Sequence, residues 1–388
     1  MPWTGPDEPP TRVLHIAVLA PPWISIPPQG YGGIEAVVAL LCEGLVERGH
    51  RVTLFAAPRS HSSADVYTVL EETHPDEMQH ARWEADHVGR AFDAIDAAAT
   101  AHDAFDVVHD HTGFSALAMA HRLGTPLVHT LHGPFEPHVT RFYECHGRKA
   151  RLVAVSASQR DGAPPALRGG IDVVHNPLAV DHWPFGGDPD EYVLWMGRMT
   201  DSKGPQRAIR AARAAGVPLV VAGPVQRGQE EFFAREVKPE IDGDAVRYAG
   251  EVGGDQRRSL YARARALLMP IRWAEPFGMV MIEAMACGTP VIAFPEGSAC
   301  ELIVDGETGF LVDDEDAMAR AVGRLDAIDR RRCRAHVDEH FAVPRIAARY
   351  EQVFERAIAA RGPFARGRRF AASPPPHRSH RSEAAPHV

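Results

Sequence analysis

Long apolar runs are missing from this sequence. No stretch approaches the ~20 residues that a membrane-spanning helix needs, and the longest, such as Val13–Ala20, have the length of buried strands. Cysteine is scarce: five residues, Cys42, Cys145, Cys287, Cys300 and Cys333, lie scattered with no Cys-x-x-Cys spacing. That excludes a disulfide framework and a cysteine-based zinc site, and it fits a reducing compartment. An excess of positive charge is missing too. A formal net charge of −9 excludes a chain whose main business is coating nucleic acid. Residues Met1–Arg12 are Pro-rich, carry two acidic residues and lack the basic-then-apolar design of a secretory signal. The expectation is a soluble cytoplasmic protein.

What is present is an α/β rhythm, in a chain whose 45% hydrophobic and 24% charged content allows sizeable cores. Val13–Ala20 reads as a strand, Ile34–Glu47 as a helix and Val52–Ala57 as a strand, with further strands at Val107–His109, Pro126–Leu131 and Leu152–Val155. Such alternation implies a parallel sheet covered by helices on both faces. From Gly169 to Asp190 the rhythm breaks in a Pro- and Gly-containing stretch that reads as an interdomain linker. It restarts with strands at Tyr192–Met196, Pro218–Ala222, Val246–Ala249, Ala266–Met269 and Pro290–Ala293, and helices at Gln206–Ala215, Asp314–Ala327 and Pro344–Ala360. The resulting plan is a tail over residues 1–12, one Rossmann-like domain over 13–182, a second over 190–343, and a closing helix at 344–360. Residues 361–388 are Arg-, Pro-, Ser- and His-rich with almost no aliphatic side chains, which predicts a disordered tail.

In open parallel sheets, ligands bind beyond the carboxyl ends of the strands, so two such sheets predict a cleft between domains. Four loops there carry candidate chemistry. The sharpest is Glu275-Pro-Phe-Gly-Met-Val-Met-Ile-Glu283, after the strand Ala266–Met269. Pro276 suits the first helical position, and Gly278 lets a ligand approach the backbone. The N–H groups of Phe277, Gly278 and Met279, backed by the helix dipole, outline a diphosphate site. Glu275 would start the helix and Glu283 would lie two turns in, roughly 12 Å away at the usual rise. Glu283 sits in an apolar stretch, and a buried carboxylate needs a partner. The competing reading is a surface helix with two solvated glutamates.

The second loop is Gly197-Arg-Met-Thr-Asp-Ser-Lys-Gly204. Arg198 and Lys203 could neutralise two phosphates, against the alternative of a solvated turn. It is not a Walker A loop, because that motif's spacing is absent. The third is Gln29-Gly-Tyr-Gly-Gly33, where glycine N–H groups could meet an anion. The G-x-G-x-x-G pattern fails there, and the next strand ends in Phe55-Ala-Ala-Pro58 with no acid for an adenosine ribose, which excludes a nicotinamide cofactor. The fourth is Thr130-Leu-His132-Gly133, whose histidine points into the cleft. His109-Asp110-His111 lies near it in a chain of 21 histidines. No companion carboxylate stands at helical ligand spacing, so no metal is expected. Asp188–Asp190 and Asp242–Asp244 read as turns, and Cys287 reads as core.

Taken together, these residues resemble the retaining glycosyltransferases of family 4, which have the GT-B fold of two Rossmann-like domains facing across a cleft. Glu275 and Glu283 match the family's E-x7-E signature, Arg198 and Lys203 its Gly-Arg…Lys-Gly loop, and Gly32–Gly33 and His132–Gly133 its two N-terminal loops. Glu301–Val312 looks like a common ending of the family's second domain. The likeness runs from about Val13 to Tyr350. It implies a hexosyltransferase that moves a sugar from a nucleotide-diphosphate donor, with retention and without a metal or other cofactor. Arg198 and Lys203 would bind and stabilise the departing diphosphate, Glu283 the ribose, and Glu275 the transferred sugar. Phe277, Gly278, Met279 and Val280 would face the donor through their backbone, His132 would approach its sugar, and Gly32 and Gly33 would lie near the phosphates or the acceptor. The closing helix would cross back onto the first domain, the acceptor domain.

UDP-, GDP- and ADP-sugars all remain candidates, because no code for the base is legible. The acceptor, whether lipid, saccharide or small metabolite, would meet variable loops such as 60–91 and 135–145. The arginines of the tail leave open a peripheral contact at the inner membrane face. Two other functions stay in view: a nucleotide-sugar epimerase or hydrolase using His109, Asp110 and His111, and a non-catalytic nucleotide-sugar-binding module.

Overall fold

The computed structural model describes residues 12–28, 30, 32–78 and 80–361. The two terminal tails of the sequence reading, 1–12 and 361–388, lie outside them except for Arg12 and Arg361, as do Gln29 and Tyr31 of the Gln29–Gly33 loop.

Two all-parallel sheets carry the chain. The first contains β1 (His15–Leu19), β2 (Arg51–Ala56), β3 (Asp65–Thr68), β4 (Val107–Asp110), β5 (Leu127–Leu131), β6 (Arg151–Ala154) and β7 (Asp172–Val173), in spatial order β3-β2-β1-β4-β5-β6-β7. Its helices are α1 (Gly33–Glu47), α2 (Ala81–Thr100), α3 (Ser115–Met119), α4 (Pro137–His146), α5 (Ala157–Asp161) and α6 (Pro165–Arg168). The second contains β8 (Val193–Met196), β9 (Leu219–Ala222), β10 (Val246–Gly250), β11 (Leu267–Met269), β12 (Val291–Ala293) and β13 (Gly309–Leu311), ordered β10-β9-β8-β11-β12-β13. With it go α7 (Pro205–Ala215), α8 (Glu230–Phe232), α9 (Gly254–Arg263), α10 (Met279–Ala286), α11 (Ala299–Leu302), α12 (Glu315–Val322), α13 (Arg330–Phe341) and α14 (Val343–Arg361).

Counted within its own sheet, the second order repeats the first six strands of the first: 3-2-1-4-5-6, the doubly wound arrangement. The reversal of strand order falls between β1 and β4 and between β8 and β11, so the loops after these strands open onto a crevice. The strand sequences fit this burial. All five residues of β1 and all four of β8 are buried, which requires continuous apolar runs rather than alternation.

α14 departs from the sheet it follows in sequence. Its Ile346, Ala347, Tyr350, Val353 and Phe354 pack with Ile16, Val38 and Leu41 in the core of the first sheet. Each large side chain so buried contributes about 1.5–3 kcal/mol. Gly44 of α1 permits the approach, since a Cβ there would lie 2.5 Å from Val343 Cγ1. The α13–α14 junction runs beside the first crossing between sheets: Leu178 donates its N–H to Phe341 O at 2.8 Å. Glu301, at α11, adds a polar clasp by accepting the N–H groups of Ala157 and Ser158 at 2.7 and 2.6 Å.

Three expectations need correction. The stretch 60–91, expected as variable loop, holds β3 and the start of α2, and 135–145 is mostly α4. The Gly169–Asp190 linker contains β7, which pairs with β6 before the chain crosses over. The single helix expected at 314–327 stops at Val322 and re-forms as a short turn at Leu325–Ala327.

Candidate active site

The loop after β8 places Lys203 against the loop after β11. Thr200 caps the turn Asp201–Lys203, and Gly204 then takes a left-handed conformation with φ 75° that starts α7. The Lys203 ammonium pairs with Glu275 Oε2 and lies 4.6 Å from the centre of the Trp273 ring. Trp273 Nε1 donates to the same Glu275 oxygen at 2.9 Å. Burial lowers the Lys203 pKa, and the Glu275 charge opposes that shift. Arg198 is half-buried on the same loop; its carbonyl accepts the Thr200 N–H at 2.8 Å, and its guanidinium has no hydrogen-bond or ion-pair partner among the described residues.

Glu275 does not start a helix. Gly278, at φ 80°, is the N-cap of α10, so Glu275 and Pro276 lie in the preceding loop and Pro276 is not at the first helical position. The 12 Å helical spacing therefore does not apply to the two glutamates. The loop is held from behind: Ser298 donates its N–H to Glu275 O at 3.1 Å. Gly297, at φ 57°, lies so close that a Cβ would stand 2.4 Å from the Glu275 N. Phe277 turns its ring inward, 5.8 Å from the ring of His175 and 5.9 Å from that of Phe341, so only its backbone is left for a ligand. Met279 and Val280 are half-buried at the helix start, where first-turn amides lack helical partners. Glu283, one turn further in, is buried and bonded to Arg257 and Tyr261 of α9.

The first sheet presents other chemistry. Gly32 is the N-cap of α1 and Gly33 its first residue. A Cβ on Gly30 would stand 3.6 Å from Glu251 Oε1, so this loop meets the loop after β10. Glu35, in the first turn of α1, is only 5% exposed, and burial raises its carboxyl to about 7.

His132 ends a chain of hydrogen-bonded groups. Tyr350 OH is 3.1 Å from Thr130 Oγ1, which is 2.8 Å from His109 Nε2. His109 Nδ1 is 3.4 Å from His111 Nε2, and His111 Nδ1 is 2.9 Å from His132 Nε2. Burial pushes His132 down to about 3 and His109 and His111 well below the usual value, so all three rings are neutral and each carries one proton. Tyr350 is buried, and Thr130 is the one partner of its hydroxyl among the described residues, so its O–H donates there. That polarity runs through His109 and His111 and leaves the His132 proton on Nδ1. His111 is only 1% exposed, and His109 and Asp110 are completely buried. Asp110 is consumed by His129 Nδ1 at 2.5 Å and by Thr112.

Among the described residues, no three His, Cys, Asp or Glu side chains come together in a metal-holding arrangement. No described helix is long and apolar enough to cross a membrane. Cys287 is buried and its thiol is pushed up to about 12, as suits a core residue. The sequence reading missed Arg257, Tyr261, Trp273, Glu35 and Tyr350. Trp273 and Glu35 stand within two residues of recognised motifs and were findable on that ground. The other three reach the site only through the fold.

Two family descriptions match consecutive stretches of the chain: glycosyltransferase family 4 over residues 31–182 and glycosyl transferases group 1 over residues 184–337. The D-inositol 3-phosphate glycosyltransferase of Acidothermus cellulolyticus is 28% identical, over 84% of this chain and 83% of its own. The crystal structure of AviGT4, a glycosyltransferase involved in avilamycin A biosynthesis, superposes with a TM-score of 0.67 at 26% identity, covering 89% of this chain and 98% of that one. The sucrose-phosphate synthase of Thermosynechococcus elongatus shares the fold, with a TM-score of 0.70 at 22% identity over 89% of this chain and 100% of that one. With both halves matched and the doubled 3-2-1-4-5-6 sheets in place, the chain belongs to the family 4 glycosyltransferases of the GT-B fold.

Proposed function

We propose that this glycosyltransferase is a retaining, metal-independent hexosyltransferase that takes its sugar from a nucleotide-diphosphate donor bound on the second sheet. The observation that carries the reading is the pairing of two buried glutamates with cations on either side of the start of α10. Lys203, Arg198 and the first-turn amides of α10 concentrate positive charge where a diphosphate would lie. Glu275 would accept hydroxyls of the transferred sugar, and Glu283 those of the ribose. His132, with a neutral ring, would donate to a sugar oxygen from the first sheet.

In this reading the bond between the anomeric carbon and the phosphate oxygen breaks, and its electron pair leaves on the diphosphate. The acceptor oxygen bonds to the same face of that carbon and passes its proton to the departing phosphate oxygen. Arg198 and Lys203 stabilise the charge that develops on the leaving group, and such pre-placed charge is a large contribution to rate. Closure of the two sheets would exclude water and align donor with acceptor. The epimerase or hydrolase alternative loses support, because His109, Asp110 and His111 are buried and engaged with one another or their neighbours.

The test is a thermal-shift screen of UDP, GDP and ADP and their sugar conjugates, in EDTA, on wild type and Glu283→Ala. A ligand of the folded state raises the melting temperature by mass action. One nucleotide family is expected to stabilise the wild type and not the variant. Failure of every nucleotide, with or without magnesium, would overturn the proposal and favour a non-catalytic member.

A further inference from the structure

The two oxygens of Glu283 are unequal. Oε2 accepts hydrogen bonds from the Arg257 guanidinium and from the Tyr261 hydroxyl, the latter at 3.0 Å. Oε1 has no hydrogen-bond partner among the described residues. Arg257 is itself braced: its guanidinium lies 5.7 Å from the centre of the Trp183 ring, and Trp183 meets Tyr261 edge-on at 5.8 Å. Tyr261 is completely buried. Arg257 and Tyr261 are four residues apart on α9, so they stand on one helix face and reach the same carboxylate together.

A carboxylate on an otherwise apolar helix has two problems as a ligand group. Its charge is costly to bury without a partner, and its side chain must be ordered before it can accept a bond. Arg257 answers the first and the pair of donors answers the second. Because both donors land on Oε2, neither blocks Oε1.

We propose that Arg257 and Tyr261 are positioning residues that lock Glu283 through Oε2, so that Oε1 is presented as the acceptor for the two adjacent ribose hydroxyls of a nucleoside diphosphate. This rests on the donor reading above and extends it to α9, which carries none of the motif residues. It makes ribose selectivity a property of a three-residue unit rather than of Glu283 alone.

The test compares the affinities of uridine diphosphate and its 2′,3′-dideoxy counterpart by calorimetry, or the guanine or adenine pair if the screen selects that base. Wild type is expected to prefer the ribose form by about tenfold or more, as hydrogen bonds to a charged acceptor imply. Arg257→Met should bring the preference close to one while changing dideoxynucleotide affinity much less. Arg257→Lys should restore part of the preference, and Tyr261→Phe should weaken it moderately. These two variants keep the test open if Arg257→Met does not fold. A merely structural role would weaken both probes equally and leave the ratio unchanged, which would overturn the inference. A wild type that binds both probes equally would overturn the inference and the ribose role of Glu283, while leaving the nucleotide-diphosphate donor standing. A wild type that binds no nucleotide would overturn the donor reading and the inference with it.

Discussion

At the carboxyl ends of the first sheet stand neutral imidazoles, buried at His109 and His111 and half-buried at His132, whereas at those of the second stand ion pairs. His132, His111 and His109 are stripped of charge by burial, while Lys203–Glu275 and Arg257–Glu283 bring charge into similarly buried surroundings. The strand order is the same on both sides, so the scaffold does not dictate this contrast; the loops do. A neutral hydrogen-bonding face suits hydroxyls, and a face of preorganised cations suits an anion. The price of the second arrangement is desolvation, which an ion pair offsets only while both partners stay in place.

The contrast can be broken most directly at Lys203. Lys203→Ala should lower sugar transfer by about 10²–10³-fold, as loss of one preorganised charge-stabilising group does, with folding checked by the melting transition. A loss below tenfold would erase the distinction between the faces.

Acid should act on the first sheet's side through its neutral histidines. His87 of α2 is completely buried, neither ring nitrogen has a hydrogen-bond partner among the described residues, and burial lowers its pKa from 6.5 to about 4. The unfolded chain therefore binds a proton between these values and the native chain does not. The contribution is fully present above pH 6.5 and is lost as pH falls toward 4, amounting to up to about 3 kcal/mol. Urea unfolding at pH 7.5 and 4.5 should show a smaller pH-dependent loss for His87→Leu than for wild type.

Gly297→Ala sharpens the comparison from the other side. At φ 57° and against the Glu275 backbone, a methyl group should cost about 1–3 kcal/mol and displace the Glu275 loop. The expected readout is a lowered melting temperature together with weakened donor turnover. Tyr350→Phe should have the smallest effect, about 0.5–1.5 kcal/mol. It removes the terminal donor of the histidine chain and frees the His132 tautomer, which imidazole ¹⁵N shifts would report.

Much of the plan was legible before the structure. β1, β2 and α1 are continuous apolar or amphipathic runs, and the restart at Tyr192 announces a second sheet. Arg198, Lys203, Glu275 and Glu283 stand out because charged residues in short loops after apolar strands, or inside an apolar helix, need a reason. The start of α10 was misplaced because Pro276 is a good first helical residue, yet Gly278 takes a left-handed conformation that delays the helix to Met279. β3 and β7 were missed because they are short edge strands without full burial.

Local periodicity and composition were enough to specify two α/β units, their order and the loops that carry charge, since strand and helix patterns depend on residues only a few positions apart. Partnership was decided by the tertiary structure. Arg257 reaches Glu283 across 26 residues, Lys203 reaches Glu275 across 72, and Tyr350 reaches Thr130 across 220. Which buried charge is compensated, and which imidazole stays neutral, depends on what packing brings within about 3 Å, and no short-range pattern encodes that.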